Sequence, residues 1–272
     1  MRTWPPARLA WHTWFAWCAW CAWLPTAAAV AQTTWTVDIV ADENDSACIP
    51  GDCSLREAIA GAGPLDTIEF GLPGSPPWTL RLASPLTIAG TISISGPGSD
   101  QLRISGDSGG DGTADVRPFE IDAAGSLSLA QVGIEKGISP AGSTRNGGCL
   151  RNLGTLTLEA VEISACSGWS GTSSTFNGNA GASGGAVWNG AGAVLSIASS
   201  RLTLNVAGGG ASSPDGFSAG PEGGSGGALA NAGTATIFDT TFEGNHAGRG
   251  GYPDGRGGDG GAVANLAGGV LR

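Results

Sequence analysis

The segment 147–152 reads GGCLRN, 184–189 reads GGAVWN, 226–231 reads GGALAN and 260–265 reads GGAVAN. One phrase written four times, at spacings of 37, 42 and 34 residues, marks a chain built by stacking one unit. The copies extend past the phrase. After Asn152 come Leu156, Leu158, Val161, Ile163 and Cys166. After Asn231, at the same offsets, come Ala235, Ile237, Thr240, Phe242 and Asn245. The Asn189 copy carries two extra residues within Gly190–Ala193 and then gives Leu195, Ile197, Ser200, Leu202 and Asn205. An earlier stretch fits without the glycines, with Ile121 set against Leu150, then Leu127, Leu129, Val132 and Ile134.

Alternation such as Leu156-x-Leu158 has period two, so these are strands with one face buried. Several short strands per repeat, each ended by Gly, Asn or Ser, describe one coil of a parallel β-helix. The fold class expected is therefore all-β. Asn152, Asn189, Asn231 and Asn265 would stack from coil to coil, each amide bonding the next. Asn205 and Asn245 suggest a second stack, in which Cys166 is the exception. Gly plus Pro amount to 63 of 272 residues, a composition common in disordered chains. Disorder would not keep apolar residues in register over three full copies. A helical solenoid is disfavoured because Gly, Ser and Thr crowd the repeats without a 3.6-residue stripe.

A bare three-strand coil needs roughly 22 to 25 residues. The surplus falls at one place, after the second Asn: SGWSGTSSTFNGNAGAS (167–183), AGGGASSPDGFSAGPEGGS (207–225) and AGRGGYPDGRGGD (247–259). Insertions at one point of the coil emerge on one side of the solenoid, giving a row of Gly-rich loops.

Residues 1–31 read as a signal peptide. Arg2 and Arg8 precede an apolar run from about Leu9 to Leu24, and Ala29-Val30-Ala31 offers a cleavage site before Gln32. The run is too short for a membrane span, and no later stretch is apolar enough for one. Removal leaves 11 basic and 23 acidic side chains, the wrong sign for nucleic acid. At the other end the chain stops inside a strand with no capping coil. That predicts a fragment, with further coils or an anchoring domain beyond Arg272.

Residues 32–78 are expected to form an N-terminal cap with the first strands, and 79–272 the coils. In the cap, a strand over Thr36–Val40 leads through an acidic loop to Ser54-x-x-Glu57, a capping box that opens a helix over about Leu55–Ala60. A strand over Thr67–Phe70 follows. The string Cys53-Ser54-Leu55-Arg56-Glu57-Ala58 resembles the signature of CSLREA-domain proteins, exported bacterial surface proteins. An upstream acidic loop with Cys48, the strand Asp66-Thr67-Ile68-Glu69-Phe70 and the turn Ile94–Gly98 agree with it. The coils are similar to the GGAxxN…FxxN repeats of polymorphic outer-membrane proteins. The resemblance implies a right-handed, pectin-lyase-like β-helix, a secreted or cell-surface location and no established activity. Cys149 and Cys166 depart from the repeat, which usually carries Ala and Asn there.

Export permits disulfides. Cys48 and Cys53 flank Ile-Pro-Gly-Asp, a turn that would bring them together. Cys149 and Cys166 either bridge across one coil or pack separately as small apolar residues. Asp107, Asp111 and Asp115 alternate with Gly like a calcium loop, although Gly109 stands where a further ligand is usual. The alternative is a solvated acidic turn. No other cofactor is suggested. Lys136 is the only Lys, and His246 is the only His after residue 31, so no Ser-His-Asp triad or zinc cluster can be assembled. Glu159, Glu162, Asp239 and Glu243 lie in matching strands without forming one carboxylate column. The function expected is therefore structural and adhesin-like, with a glycan or protein as ligand. The alternative is a polysaccharide lyase or glycoside hydrolase, which this fold also hosts.

Overall fold

A computed structural model describes residues 32–45, 47–142, 145–173 and 179–272. The segment read as a signal peptide lies outside the described residues. The rest is a parallel β-helix with three faces. Sheet 1 stacks eight strands: Thr34–Val37, Asp66–Phe70, Thr91–Ser95, Ser126–Ala130, Thr155–Glu159, Val194–Ala198, Thr234–Phe238 and Val270–Leu271. Sheet 2 stacks six: Leu86–Ile88, Phe119–Ile121, Leu150–Asn152, Val187–Asn189, Leu229–Asn231 and Val263–Asn265. Sheet 3 stacks Trp78–Arg81, Leu102–Ser105, Gly133–Glu135, Glu162–Ser164, Arg201–Thr203 and Thr241–Glu243. Each full coil visits sheets 2, 1 and 3 in that order.

Alternation sends every second side chain inward, where it lies on its equivalent one coil away. Leu127, Leu156, Leu195 and Ala235 form one such column, and Leu129, Leu158, Ile197 and Ile237 the next. Phe119, Leu150, Val187, Leu229 and Val263 line sheet 2. Ile104, Ile134, Ile163, Leu202 and Phe242 line sheet 3. Most of these are fully buried.

The glycine phrase has a residue-by-residue cause. Its first Gly turns the chain into sheet 2 with φ of +81, +72, +69 and +67 at 147, 184, 226 and 260, a region that L side chains enter at a cost. Its second Gly lies against the backbone of the next coil. A methyl at 148, 185 or 227 would sit 2.1 to 2.3 Å from the carbonyl oxygen of Gly185, Gly227 or Gly261. The third residue (Cys149, Ala186, Ala228) is small and buried. The Asn closes the phrase. Asn152 donates to Asn189, Asn189 to Asn231 and Asn231 to Asn265, each at 2.8 Å. Asn152 also accepts from Gly154 N, so the same amide that joins two coils holds the following turn. The second stack is present as well. Asn205 donates to Asn245 at 3.0 Å, and Asn205 Oδ1 accepts from the backbone N–H of Cys166. Among the described residues no buried side-chain nitrogen or oxygen lacks a partner.

Three expectations need correction. The first-coil register is shifted: Phe119, not Ile121, faces Leu150, and Ile121 faces Asn152. The reason is a four-residue turn, Asp122–Gly125, closed by Gly125 N to Asp122 O, where the next coil has only Leu153-Gly154. Ile121 thus occupies the asparagine column before that column begins. The first strand is Thr34–Val37 rather than Thr36–Val40. It ends because the Asp38 carboxylate turns back to accept from Gly51 N and Cys53 N. The second strand starts one residue early, at Asp66.

Candidate functional site

The CSLREA string builds the cap, and each letter has a structural task. Cys53 is disulfide-bonded to Cys48. Ser54 caps α1 (Leu55–Gly61): its hydroxyl accepts from Glu57 N, and the Glu57 carboxylate accepts from Ser54 N. Leu55 and Ala58 are buried in the core. Arg56 clamps the helix to what lies beneath, with a two-pronged ion pair to Asp42 and donation to the carbonyls of Ser84 and Pro85. Those carbonyls precede Leu86–Ile88, the first strand of sheet 2, so α1 stands over that strand's open edge. Asp66 adds a further tie. It accepts from the Trp35 indole N–H and from the amides of Thr33 and Gly63, which hold its carboxyl below the usual range. The motif is an edge cover rather than a reactive site.

Cys149 and Cys166 are bonded to each other within one coil. They tie its entry turn to the bend after its last strand, Glu162–Ser164, at the base of the first insertion.

The acidic loop 107–115 leaves sheet 3 at the same corner as the insertions. Its carboxylates do not converge. Asp107 is buried, accepts from the amides of Asp111 and Gly112, and pairs with Lys136 at 3.2 Å. Burial pushes its carboxyl up, but Lys136 and the amides outweigh that and leave it lowered. Asp115 accepts from Ser108, and Asp111 from Thr113 N. Among the described residues no group of three or more His, Cys, Asp or Glu is placed to hold a metal ion. Nearby Arg117, fully buried ahead of Phe119, donates to the carbonyls of Gly147 and Asn146. Burial lowers its guanidinium to about 10, which leaves it charged at neutral pH.

The three Gly-rich insertions share the corner between sheets 3 and 2, as their common position in the coil predicts. They are not separate loops. The described residues of each form two legs, and successive legs are joined by backbone bonds. Ala182 N donates to Trp169 O, Gly208 N to Ala182 O, Gly224 N to Gly208 O, Gly248 N to Gly224 O and Gly258 N to Gly248 O, all at 2.8 to 2.9 Å. Legs two apart also touch. A methyl at Gly208 would lie 1.9 Å from Trp169 O, at Gly224 2.0 Å from Ala182 O, and at Gly248 1.9 Å from Gly208 O. In a flat sheet, next-but-one strands lie about 9.5 Å apart. The legs are therefore bundled, backbone against backbone, with no space for a side chain at the crossings. This bundle left no sign in the sequence beyond its glycines, because close backbone packing needs no pattern except missing side chains.

A second surface runs along the corner between sheets 1 and 3, a groove of about 450 Å³ lined by Val161, Glu162, Ser200, Arg201 and Thr241 among others. Glu162 and Arg201 in it are ion-paired, while Asp239 also lines it. Arg103 reaches across Gly133 to Glu162 at 3.1 Å and Glu135 at 3.5 Å, and Arg201 meets Glu243. The sequence places Glu159, Glu162, Asp239 and Glu243 in matching strands but does not reveal the arginines that meet Glu162 and Glu243.

No protein-family model, no curated protein and no solved structure matches the chain.

Proposed function

We propose that this is an exported CSLREA-type β-helix protein with a structural, adhesin-like role, in which a rigid solenoid carries a glycine-packed corner toward a ligand at the cell surface. The carrying observation is that corner: insertions from successive coils merge into one continuous surface instead of hanging as independent loops. Two disulfides fit an oxidising compartment. No helix among the described residues is long and apolar enough to cross a membrane. The ion pairs of Glu162 and Glu243 weigh against a lyase or glycosidase reading, since each carboxylate faces an arginine instead of an open acid–base partner.

The test has two parts. Expressed with its leader in a bacterium, the chain is expected outside the cytoplasm with both disulfides formed; a reduced cytoplasmic product overturns export. Screened on pectin, alginate and related glycans, it is expected to release no product; reproducible depolymerisation overturns the adhesin reading in favour of the enzyme. The reading includes no metal, because the acidic loop's carboxylates are taken up by its own amides and Lys136. Calcium and chelator are both expected to leave the melting temperature unchanged, and a rise with calcium would restore the calcium loop.

A further inference from the structure

The glycine corner ends outward in aromatic rings. Phe217, on the second insertion, is 94% exposed, and Tyr252, on the third, is 73% exposed. Neither 207–225 nor 247–259 contains Leu, Ile, Val or Met, so no large aliphatic side chain within them shelters either ring.

The turn that carries Phe217 is built. The Asp215 carboxylate accepts from Phe217 N and Ser218 N, each at 2.9 Å, and from the hydroxyls of Ser213 and Ser218. These donors, the Ser218 hydroxyl first, hold its carboxyl well below the usual range, so the turn is charged and closed at neutral pH. Ser213 N then donates to Tyr252 O at 2.6 Å, which brings the Tyr252 backbone against the base of the same turn. Beneath both, Gly210, Gly220 and Gly251 pack so closely that a methyl on any of them would lie 1.7 to 2.4 Å from a neighbouring backbone atom. The tip is thus supported from below.

We propose that Phe217 and Tyr252 form an aromatic platform that stacks on the sugar rings of a neutral glycan. This rests on the adhesin-like reading and gives it a ligand class. Three observations select that class. Rings set among Ser, Gly, Pro and charged residues, in insertions without Leu, Ile, Val or Met, lack the large apolar surround that a protein interface core or a membrane insertion uses. The polarised C–H face of a sugar ring needs only an aromatic face plus polar groups at its rim. The charges within four residues of the rings are mixed in sign, Asp215 and Asp254 against Arg249 and Arg256, the last paired with Asp259, so neither a uronate nor an anionic lipid meets a patch of one sign.

The test is retention of the chain on insoluble cellulose and chitin, with pectin, alginate and anionic phospholipid vesicles alongside. The wild type is compared with Phe217→Ser, Tyr252→Ser, the double variant and Phe238→Ser. Phe238 is equally exposed but sits on sheet 1, away from the corner. Circular dichroism and melting check that each variant keeps its fold. Retention on a neutral glycan is expected, weakened roughly 5- to 10-fold by each corner substitution. The double variant falls to background, and Phe238→Ser has no effect. Neutral-glycan binding that survives the double variant overturns the platform and leaves the adhesin-like reading intact. Retention only on pectin or alginate overturns the neutral class. Ring-dependent retention on vesicles instead assigns the tip to membranes. Failure to bind any glycan overturns the inference, while the export and depolymerase results still decide the broader reading.

Discussion

The interior of the coils and the glycine corner pack the same chain by opposite means. Inside, side chains lie on side chains, and columns tolerate changes of size: Leu127, Leu156 and Leu195 are followed by Ala235, and Phe119 by Leu150 and Val187, with the register unbroken. At the corner's glycine crossings there are no side chains to exchange. The backbone itself is the packing surface, and the missing methyl is what lets Gly208 lie against Trp169 O. The difference teaches that a high glycine content here marks density rather than looseness. A hydrophobic column measures volume with some latitude, whereas a backbone bundle measures it at every crossing.

The interior should break most completely when a charge enters it. Leu229 is fully buried between Val187 and Val263. Leu229→Asp is expected to cost about 4 kcal/mol or more, since a buried carboxylate without a partner is added to the loss of packing. Thermal unfolding followed by circular dichroism should lose its cooperative transition. A variant that melts like the wild type would mean that sheet 2 is not a core face.

The asparagine ladder should come next. Removing the amide in Asn189→Ala leaves the Asn152 amide with Val194 O alone as acceptor and Asn231 Oδ1 with Gly233 N alone as donor. One stranded buried N–H costs about 1 to 3 kcal/mol, so about 2 kcal/mol is expected by denaturant titration. Replacing exposed Asn265, the last rung, should cost much less.

The corner is tested by two adjacent residues. Gly208→Ala forces a methyl to within 1.9 Å of Trp169 O, while the nearest atom to a methyl at Gly209 is 3.6 Å away. Neither has a left-handed φ, so the contrast isolates close approach from backbone strain. Gly208→Ala is expected to cost about 1 to 3 kcal/mol and to speed amide exchange at Gly224 and Gly248. Gly209→Ala should stay within about 0.5 kcal/mol of wild type. Equal effects would reduce the corner to ordinary loops.

These contrasts also show what could be read without coordinates. The asparagine stacks, the inward columns and the capping box were legible because each depends on a side chain recurring at a fixed offset. Ile121 was placed two residues wrong because the Asp122–Gly125 turn lengthens the coil without changing its apolar pattern. The bundle was illegible because glycine crossings and glycine linkers are spelled alike. The Arg103–Glu162 link was hidden for another reason: the arginine skips a coil over Gly133, and the sequence pairs only neighbours.

The cap adds carboxylate ties to its buried apolar side chains, and the Asp66 tie should loosen in acid. The folded-state pKa of Asp66 is depressed, and its contribution is present above the unfolded value of about 3.9. It is lost as pH falls through the lower folded value. The Trp35 indole N–H resonance should therefore hold its position down to about pH 4 and shift only below it. A shift between pH 5 and 7 would mean that Asp66 is not its partner.

The smallest effect concerns turns that neither packing mode explains. After four successive sheet 1 strands, from Ser126–Ala130 to Thr234–Phe238, stand Gln131, Ala160, Ser199 and Asp239, with φ between 45 and 55. After the four sheet 3 strands of the same coils stand Lys136, Ala165 and Leu204, with φ between 48 and 56, and then Gly244 at 62. Both columns are left-handed, yet only one of these eight positions carries glycine, so the bends demand a conformation that the residues resist. That strain is roughly 1 to 2 kcal/mol per residue. Ala165 is the cleanest place to release it. It is exposed, its side chain is a single methyl, and its amide bond to Thr203 O survives substitution. Ala165→Gly should gain the relief and give back about 0.4 to 1 kcal/mol through the freer unfolded chain. A net stabilisation of about 0.5 to 1 kcal/mol is expected, seen as a higher melting temperature. The same substitution at Ala186, buried with an ordinary φ in sheet 2's entry turn, should instead destabilise. If both variants fell together, the coil's corners would be limited by packing, like its interior, and not by the backbone.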